Sequence, residues 1–368
     1  MNTVEVNLGK RNSSIELLRI VAMVTIVYFH FHARDFSLYV LGNERIQEKG
    51  LFLHTVLHHL GMLGVPCFMF VSGYYGIKFR ENRFVDITFQ CLFYALLTFA
   101  GCYAFCGYRN IQQLFFFNNW WFVLAYVVIY MLSSGLNYII EILSAKKMLI
   151  MIILFYFMMM GSMFNKAATT NGLMTLLAIY FMARWIKIYF NERQKTYLIF
   201  IAIGLLIMKF LGIVVAFKTT HLGLLPYLSS YDNPMNIVCV GGMIIAVERF
   251  YFSSRIINYF ANSTLAVYLL SESQIGQMIF KKLFVPYEGV HYSIVYFAAS
   301  LIIYIICVGV DKIRILLTAN IDYNKIFNEK NVILSESSTF FYHIFNKMYA
   351  IITKERVILC FIVKHVKI

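Results

Sequence analysis

The sequence predicts an all-α, polytopic transmembrane helix bundle of about ten helices, on three observations. The 368 residues are 60% hydrophobic and only 14% charged, with a mean hydropathy of +0.70, whereas soluble domains are roughly 45–50% apolar and about 25% charged. The apolar residues gather in runs close to the roughly 20 residues a helix needs to cross the hydrocarbon. The basic residues that bring the formal net charge to +14 fall mostly between those runs. That placement reads as membrane topology and argues against a nucleic-acid partner.

The first run, residues 16–34, follows a polar stretch from Met1 to Asn12 and has no small-residue cleavage site, so it is expected to remain as an anchor. The second, 51–77, carries "GVPCFMFVSGYYG", where Ser72, Gly73 and Tyr74 sit among aromatics ahead of the basic "KFRENR". The third lies at 86–106. The fourth, 119–140, opens with Trp120 and Trp121, rings suited to a membrane interface. The fifth, sixth and seventh are read at 148–164, 171–189 and 197–217. The eighth, 234–250, follows "YDNP"; the ninth, 258–280, contains "NSTLAVYLLSES"; the tenth is 291–310.

With the N-terminus in the cytoplasm, thirteen Lys and Arg fall on inner connections and eight on outer ones. The bias favours a cell-membrane protein with both termini inside. From about Asp311 the character changes to a polar stretch, then to "FFYHIFNKMYAIITKERVILCFIVKHVKI". Lys347, Lys354, Glu355 and Arg356 interrupt an eleventh crossing there, and a helix lying on the inner leaflet, cations toward anionic lipid, is the better reading. The chain is therefore divided into a membrane domain, 1–316, and a cytoplasmic tail, 317–368.

Seven cysteines make no CxxC pair, and Cys102 with Cys106, four apart, reads as two small packed residues. Neither a disulfide framework nor a metal site is expected. His54 and His58 are also four apart, but no carboxylate completes a ligand set, so they read as an interfacial pair.

Arg19 and His30 are the residues that call for an explanation. Eleven positions apart in "LLRIVAMVTIVYFHFHARD", they leave the same helix face, with His30 roughly 16 Å further along. Glu16, three residues before Arg19, can pair with it. Two readings stay open on this geometry: a snorkelling anchor with an interfacial histidine, or a pair of functional groups facing a bundle interior.

Other segments add a resemblance. "IELLRIVAMVTIVYFH" matches an Arg, ten residues, His pattern, "GVPCFMFVSGYYG" a Phe-rich run ending in Ser-Gly-Tyr, and "WWFVLAYVVIYMLS" a Trp-Phe segment with a downstream Tyr. In this order they resemble the integral-membrane acyltransferase-3 family, in particular its bacterial polysaccharide O-acetyltransferase members, over about residues 13 to 316. One stretch departs. Many relatives read Val-Tyr-Leu-Ile-His and then an acid, where this chain has "VYLLSES": Ser271 replaces the His and Glu272 keeps the acid.

The resemblance implies transfer of an acetyl group from acetyl-CoA, a donor substrate and not a resident cofactor, to a hydroxyl of a polysaccharide or lipid-linked sugar. On that basis His30 is the expected general base, because a neutral imidazole titrates in the range needed to take a hydroxyl proton. Ser72 is the expected hydrogen-bond donor to the thioester carbonyl. Arg19, Arg80 and Arg83 are expected to hold donor phosphates through paired guanidinium donors. Glu16, Gly73, Tyr74, Trp121 and Glu272 complete the set. The rivals are a transporter or flippase on the same architecture, for which no paired broken segments are visible, a sensor or scaffold, or the same enzyme class with a succinyl donor or a lipid or peptide acceptor. No P-loop or nucleophile motif points elsewhere.

Overall fold

The computed structural model describes residues 12–33, 50–106, 120–164, 171–221, 225, 228, 230–283 and 292–318. Among them every regular element is a helix: α1 (Ser13–Ala33), α2 (Leu51–Gly61), α3 (Gly64–Tyr75), α4 (Glu81–Cys106), α5 (Trp121–Ile142), α6 (Ala145–Phe164), α7 (Asn171–Tyr189), α8 (Glu192–Lys218), α9 (Pro234–Glu248), α10 (Arg255–Ala261), α11 (Thr264–Ser271), α12 (Gln274–Leu283) and α13 (Tyr292–Thr318). The chain divides into two compact units, Met1–Arg314 and Ile315–Ile368. The tail expected at 317–368 lies, apart from its first two residues, outside the described residues, as do Cys106's side chain and the basic outer connections Arg34, Arg45, Lys49, Arg109 and Lys166.

The protein is a multi-pass helix bundle. Among the described residues seven helices, counting α2 and α3 as one span, are long and apolar enough to cross a membrane, and α9 is a shorter apolar helix. Large apolar side chains such as Phe157, Phe200 and Met208 point outward, as a bundle bathed in lipid requires. Helix starts follow capping rules. Asn191 and Gln194 close a capping box at α8, and Asn233 caps α9 with Pro234 in the first turn, where its missing N–H costs nothing.

Two expected spans are broken, which the sequence reading missed. The second is interrupted at Met62 and Leu63, between two glycines that let α1 approach. A Cβ on Gly61 would stand 2.9 Å from the Thr25 carbonyl oxygen, and one on Gly64 only 2.5 Å from Ile26 Cγ1. The ninth is broken twice, at Asn262–Ser263 and at Glu272–Ser273. Ser273 Oγ accepts from the Gly276 N–H at 3.0 Å, capping α12, and a Cβ on Gly276 would fall 2.0 Å from the Leu270 carbonyl oxygen. That overlap is why the bend needs glycine there.

α1 runs between these breaks, touching α2 and α3 on one side and α10, α11 and α12 on the other. Two apolar cores result. One gathers α3, α5, α6, α7 and α9 around Phe70, Ile129 and Tyr180; the other joins α1, α4, α11 and α13 around Val27, Tyr94 and Leu269. Val65, Phe68, Phe84, Phe122 and Tyr126 pack against both. The seam they form holds the site.

Candidate active site

A cavity of about 630 Å³ opens at this seam. Its mouth carries Lys78, Arg80 and Arg83, and its walls are Phe68, Phe122, Tyr126 and Tyr130, closing at Ile26, Thr264, Leu265 and Tyr268. Cations at one end and aromatic and aliphatic groups at depth suit a ligand with an anionic head and a slender arm.

Arg19 lines the cavity. Its Nη1 donates to Glu16 Oε2 at 2.7 Å, and its guanidinium carbon stands 5.8 Å from the Phe68 ring centre, a cation–π contact. The group lies along the cavity and toward the bundle interior. Arg80 and Arg83 reach the same space from the loop after α3 and the first turn of α4.

That loop is anchored by groups sequence reasoning passed over. Asn137 Nδ2 donates to the Ile77 carbonyl at 2.7 Å, and Tyr180 Oη donates to Asn137 Oδ1 at 2.7 Å. The Arg80 N–H donates to Tyr130 Oη at 3.0 Å. Both bonds to the loop come from α5, and α7 braces the Asn137 amide through Tyr180, so the basic residues are presented on a fixed backbone.

One turn beyond Ile26, at the deep end of the cavity lining, stands His30. Its Nδ1 is 3.2 Å from Glu272 Oε2, and the carboxylate side chain is 6% exposed. With Glu272 ionised the carboxylate can only accept, so in that state Nδ1 is the donor and the basic lone pair lies on Nε2. Arg19, Met23 and Ile26 all line the cavity, and His30 continues that face one turn further. The opposite wall climbs likewise, since the Glu272 N–H bonds the Tyr268 carbonyl at 3.0 Å. Two helices thus bring His30 and Glu272 together one turn beyond the residues that line the cavity.

The remaining expected residues separate from this pair. Ser72 Oγ donates to the Phe68 carbonyl at 2.9 Å and lines the basic mouth. Since Arg19 lies against Phe68, Ser72 is about 20 Å along the bundle from His30 at 1.5 Å per residue, too far to serve the same carbonyl. Gly73 is a packing residue: a Cβ there would be 2.9 Å from both Ala183 Cβ and the Tyr180 carbonyl oxygen. Tyr74 is fully buried and donates to Glu248 Oε2 at 2.6 Å, while Lys187 Nζ holds Oε1 at 3.1 Å. Trp121 packs its ring against Gly172 and Tyr231. Ser271 is buried, its Oγ 3.5 Å from the Tyr268 carbonyl.

His54 and His58 are not interfacial, as the sequence suggested; both are buried in the bundle. Tyr28 Oη and His54 Nδ1 are 2.7 Å apart, and the His58 ring lies 4.7 Å from Phe29. Nearby, Lys209, 4% exposed, donates to the His59 carbonyl at 3.1 Å and to Asn236 Oδ1 at 2.7 Å. The only sign of it in the sequence was one lysine inside the apolar "GLLIMKFLGIVV". Among the described residues no group of three or more His, Cys, Asp or Glu could hold a metal ion.

A family model described as an acyltransferase domain matches residues 12–310, a span that contains the cavity, Arg19, His30 and Glu272. No curated protein and no solved structure matches the chain.

Proposed function

We infer what the site does from what the chain is: it belongs to the acyltransferase-3 family and is a membrane acyltransferase. The proposed reaction moves an acetyl group from acetyl-CoA to a hydroxyl of a cell-surface or capsular polysaccharide, or of its lipid-linked precursor. The observation that carries this reading is the continuous α1 face that bears a cavity with a cationic mouth and, one turn beyond its lining, the His30–Glu272 pair.

In this reading the phosphates of acetyl-CoA rest at Arg19, Arg80 and Arg83, and the pantetheine arm runs inward past Met23 and Ile26. The basic end of the bundle faces the cytoplasm, where the donor is available, in keeping with the excess of Lys and Arg there. His30 Nε2 accepts the proton of the acceptor hydroxyl as its oxygen attacks the thioester carbonyl carbon. Glu272 steadies the imidazolium that forms. As the C–O ester bond forms and the C–S bond breaks, the leaving thiolate takes that proton back from His30. The products are the acetyl ester and the free thiol, with no net gain or loss of protons. Ser72 contributes a wall of the donor cavity in this scheme and takes no part at the carbonyl.

The deciding experiment supplies radiolabelled acetyl-CoA to membranes carrying the protein and follows the label into glycan. Alkali-labile label on glycan in wild type, absent in His30→Ala, supports the reading. No ester in any sample rejects it, and label from succinyl-CoA alone would change the acyl group.

A further inference from the structure

One arginine at the basic end of the bundle was not expected from the sequence and has no ion-pair partner among the described residues. Arg184 lies on the last turns of α7 and is half-buried. Its Nε is sealed from solvent with no hydrogen-bond partner among the described residues. Glu248, the carboxylate at this end of α9, is taken by Tyr74 and Lys187. Holding a guanidinium partly out of water without an acceptor is unfavourable, so such a group is stable when an anion comes to it.

Its position says where the anion enters. α3 and α7 are in close contact at Gly73, and just past that contact α3 ends at Gly76 with φ +79°. A Cβ on Gly76 would stand 3.1 Å from Arg184 Nη1, so the guanidinium lies directly against the glycine. Gly76 itself lines the cavity beside Ile77, Lys78 and Arg80. The adjoining backbone is fixed, because Tyr180, one turn before Arg184, holds the Asn137 amide that binds the Ile77 carbonyl. Only glycine offers both the left-handed backbone and the room.

We propose that Arg184 is a phosphate-binding residue, seated against Gly76 at the rim of the basic cavity. A planar fork of donors without a carboxylate partner is matched to phosphate oxygens. The phosphate has two sources: the acetyl-CoA donor, an assignment that rests on the function proposed above, or the headgroup of a lipid at this end of the bundle.

The test measures binding to purified full-length protein in detergent for wild type, Arg184→Gln and Gly76→Ala. The probes are acetyl-CoA, 3′-dephospho-acetyl-CoA and phosphatidylglycerol, the last counted by native mass spectrometry. For the donor as source, Arg184→Gln is expected to bind acetyl-CoA about ten- to a hundred-fold more weakly, the range of one charge-assisted contact. If the contact is to the 3′-phosphate, the dephospho donor binds both proteins equally; if to the diphosphate, it shows the same loss. For a lipid source, donor binding is unchanged and retained phosphatidylglycerol falls. Gly76→Ala should reproduce whichever loss is seen, by displacing the guanidinium. Should Arg184→Gln fail to fold, Arg184→Lys carries the test, with a several-fold loss expected because the fork is gone. Wild-type binding to both lipid and donor in the variants overturns the proposal. If wild type binds neither form of the donor, the donor assignment fails by itself and the lipid arm alone decides Arg184.

Discussion

His30 and Glu272, 242 positions apart in the chain, meet at 3.2 Å through Nδ1 and Oε2. With Glu272 ionised the contact favours the proton on Nδ1, so its removal should harm the chemistry more than binding. Glu272→Gln is expected to lower kcat by about 10²–10⁴-fold, the range seen when an orienting carboxylate is neutralised. The dissociation constant of acetyl-CoA should stay within a few-fold. Ser271→Ala, one residue away, should change kcat little. Equal losses in both variants would mean that the α11–α12 bend had been disturbed instead.

His30→Ala should reduce acetyl transfer by something like 10²–10⁴-fold while donor binding persists. The imidazolium has no lone pair to accept a proton, so wild-type activity should rise with pH through one deprotonation. The residual rate of the variant should lose that step. Steady-state rates across acid to neutral pH would show it, and an unchanged profile in His30→Ala would defeat the general-base role.

Arg19→Ala should weaken acetyl-CoA binding by about 1.5–3 kcal/mol, the worth of a charge-assisted contact. Lys at this position should recover part of it, since the cation returns without the fork. Titration calorimetry in detergent would measure both. Normal binding by Arg19→Ala would leave the Glu16 pair and the Phe68 contact as the residue's whole purpose.

Asn137→Ala removes the donor to the Ile77 carbonyl without touching any basic side chain. Losing such a bond costs about 1–3 kcal/mol, here expressed as freedom in the loop that carries Lys78 and Arg80. The KM for donor should rise several-fold with kcat nearly constant. A fall in kcat alone would place Asn137 nearer the chemistry than its position allows.

Lys209→Met should lower the melting temperature in detergent, because the His59 carbonyl and Asn236 Oδ1 each lose a donor at about 1–3 kcal/mol per buried acceptor. An unchanged melting temperature would show that the buried ammonium is dispensable to folding.

What was readable in the sequence was what lies close along one helix. Glu16 with Arg19, and Arg19 with His30, follow from the helix period alone, and so does the bundle itself from apolar runs of spanning length. Arg80 and Arg83 could be assigned to one rim because a single turn carries both. The partner of His30 could not be found this way. Glu272 was kept through resemblance, but its contact depends on a bend at Glu272–Ser273 whose sequence mark is one ordinary glycine, Gly276. The break inside residues 51–77 was hidden likewise, since Gly61 and Gly64 read as part of a continuous apolar run. Tyr74 was placed in the site because it follows Ser72 and Gly73, yet the helix turns it toward Glu248. Lys209 was averaged away by the hydropathy of its neighbours.

The stripe Arg19, Met23, Ile26, His30 makes the interval between cation and base a quantised length. One residue inserted between Ile26 and His30 would advance the imidazole by only about 1.5 Å but swing it about 100° around the helix, off Glu272. Three or four inserted residues would restore its direction and overshoot the carboxylate by about 5 Å. Insertions and deletions in this stretch of α1 should therefore be all-or-none for acyl transfer, even where the altered helix still spans the membrane.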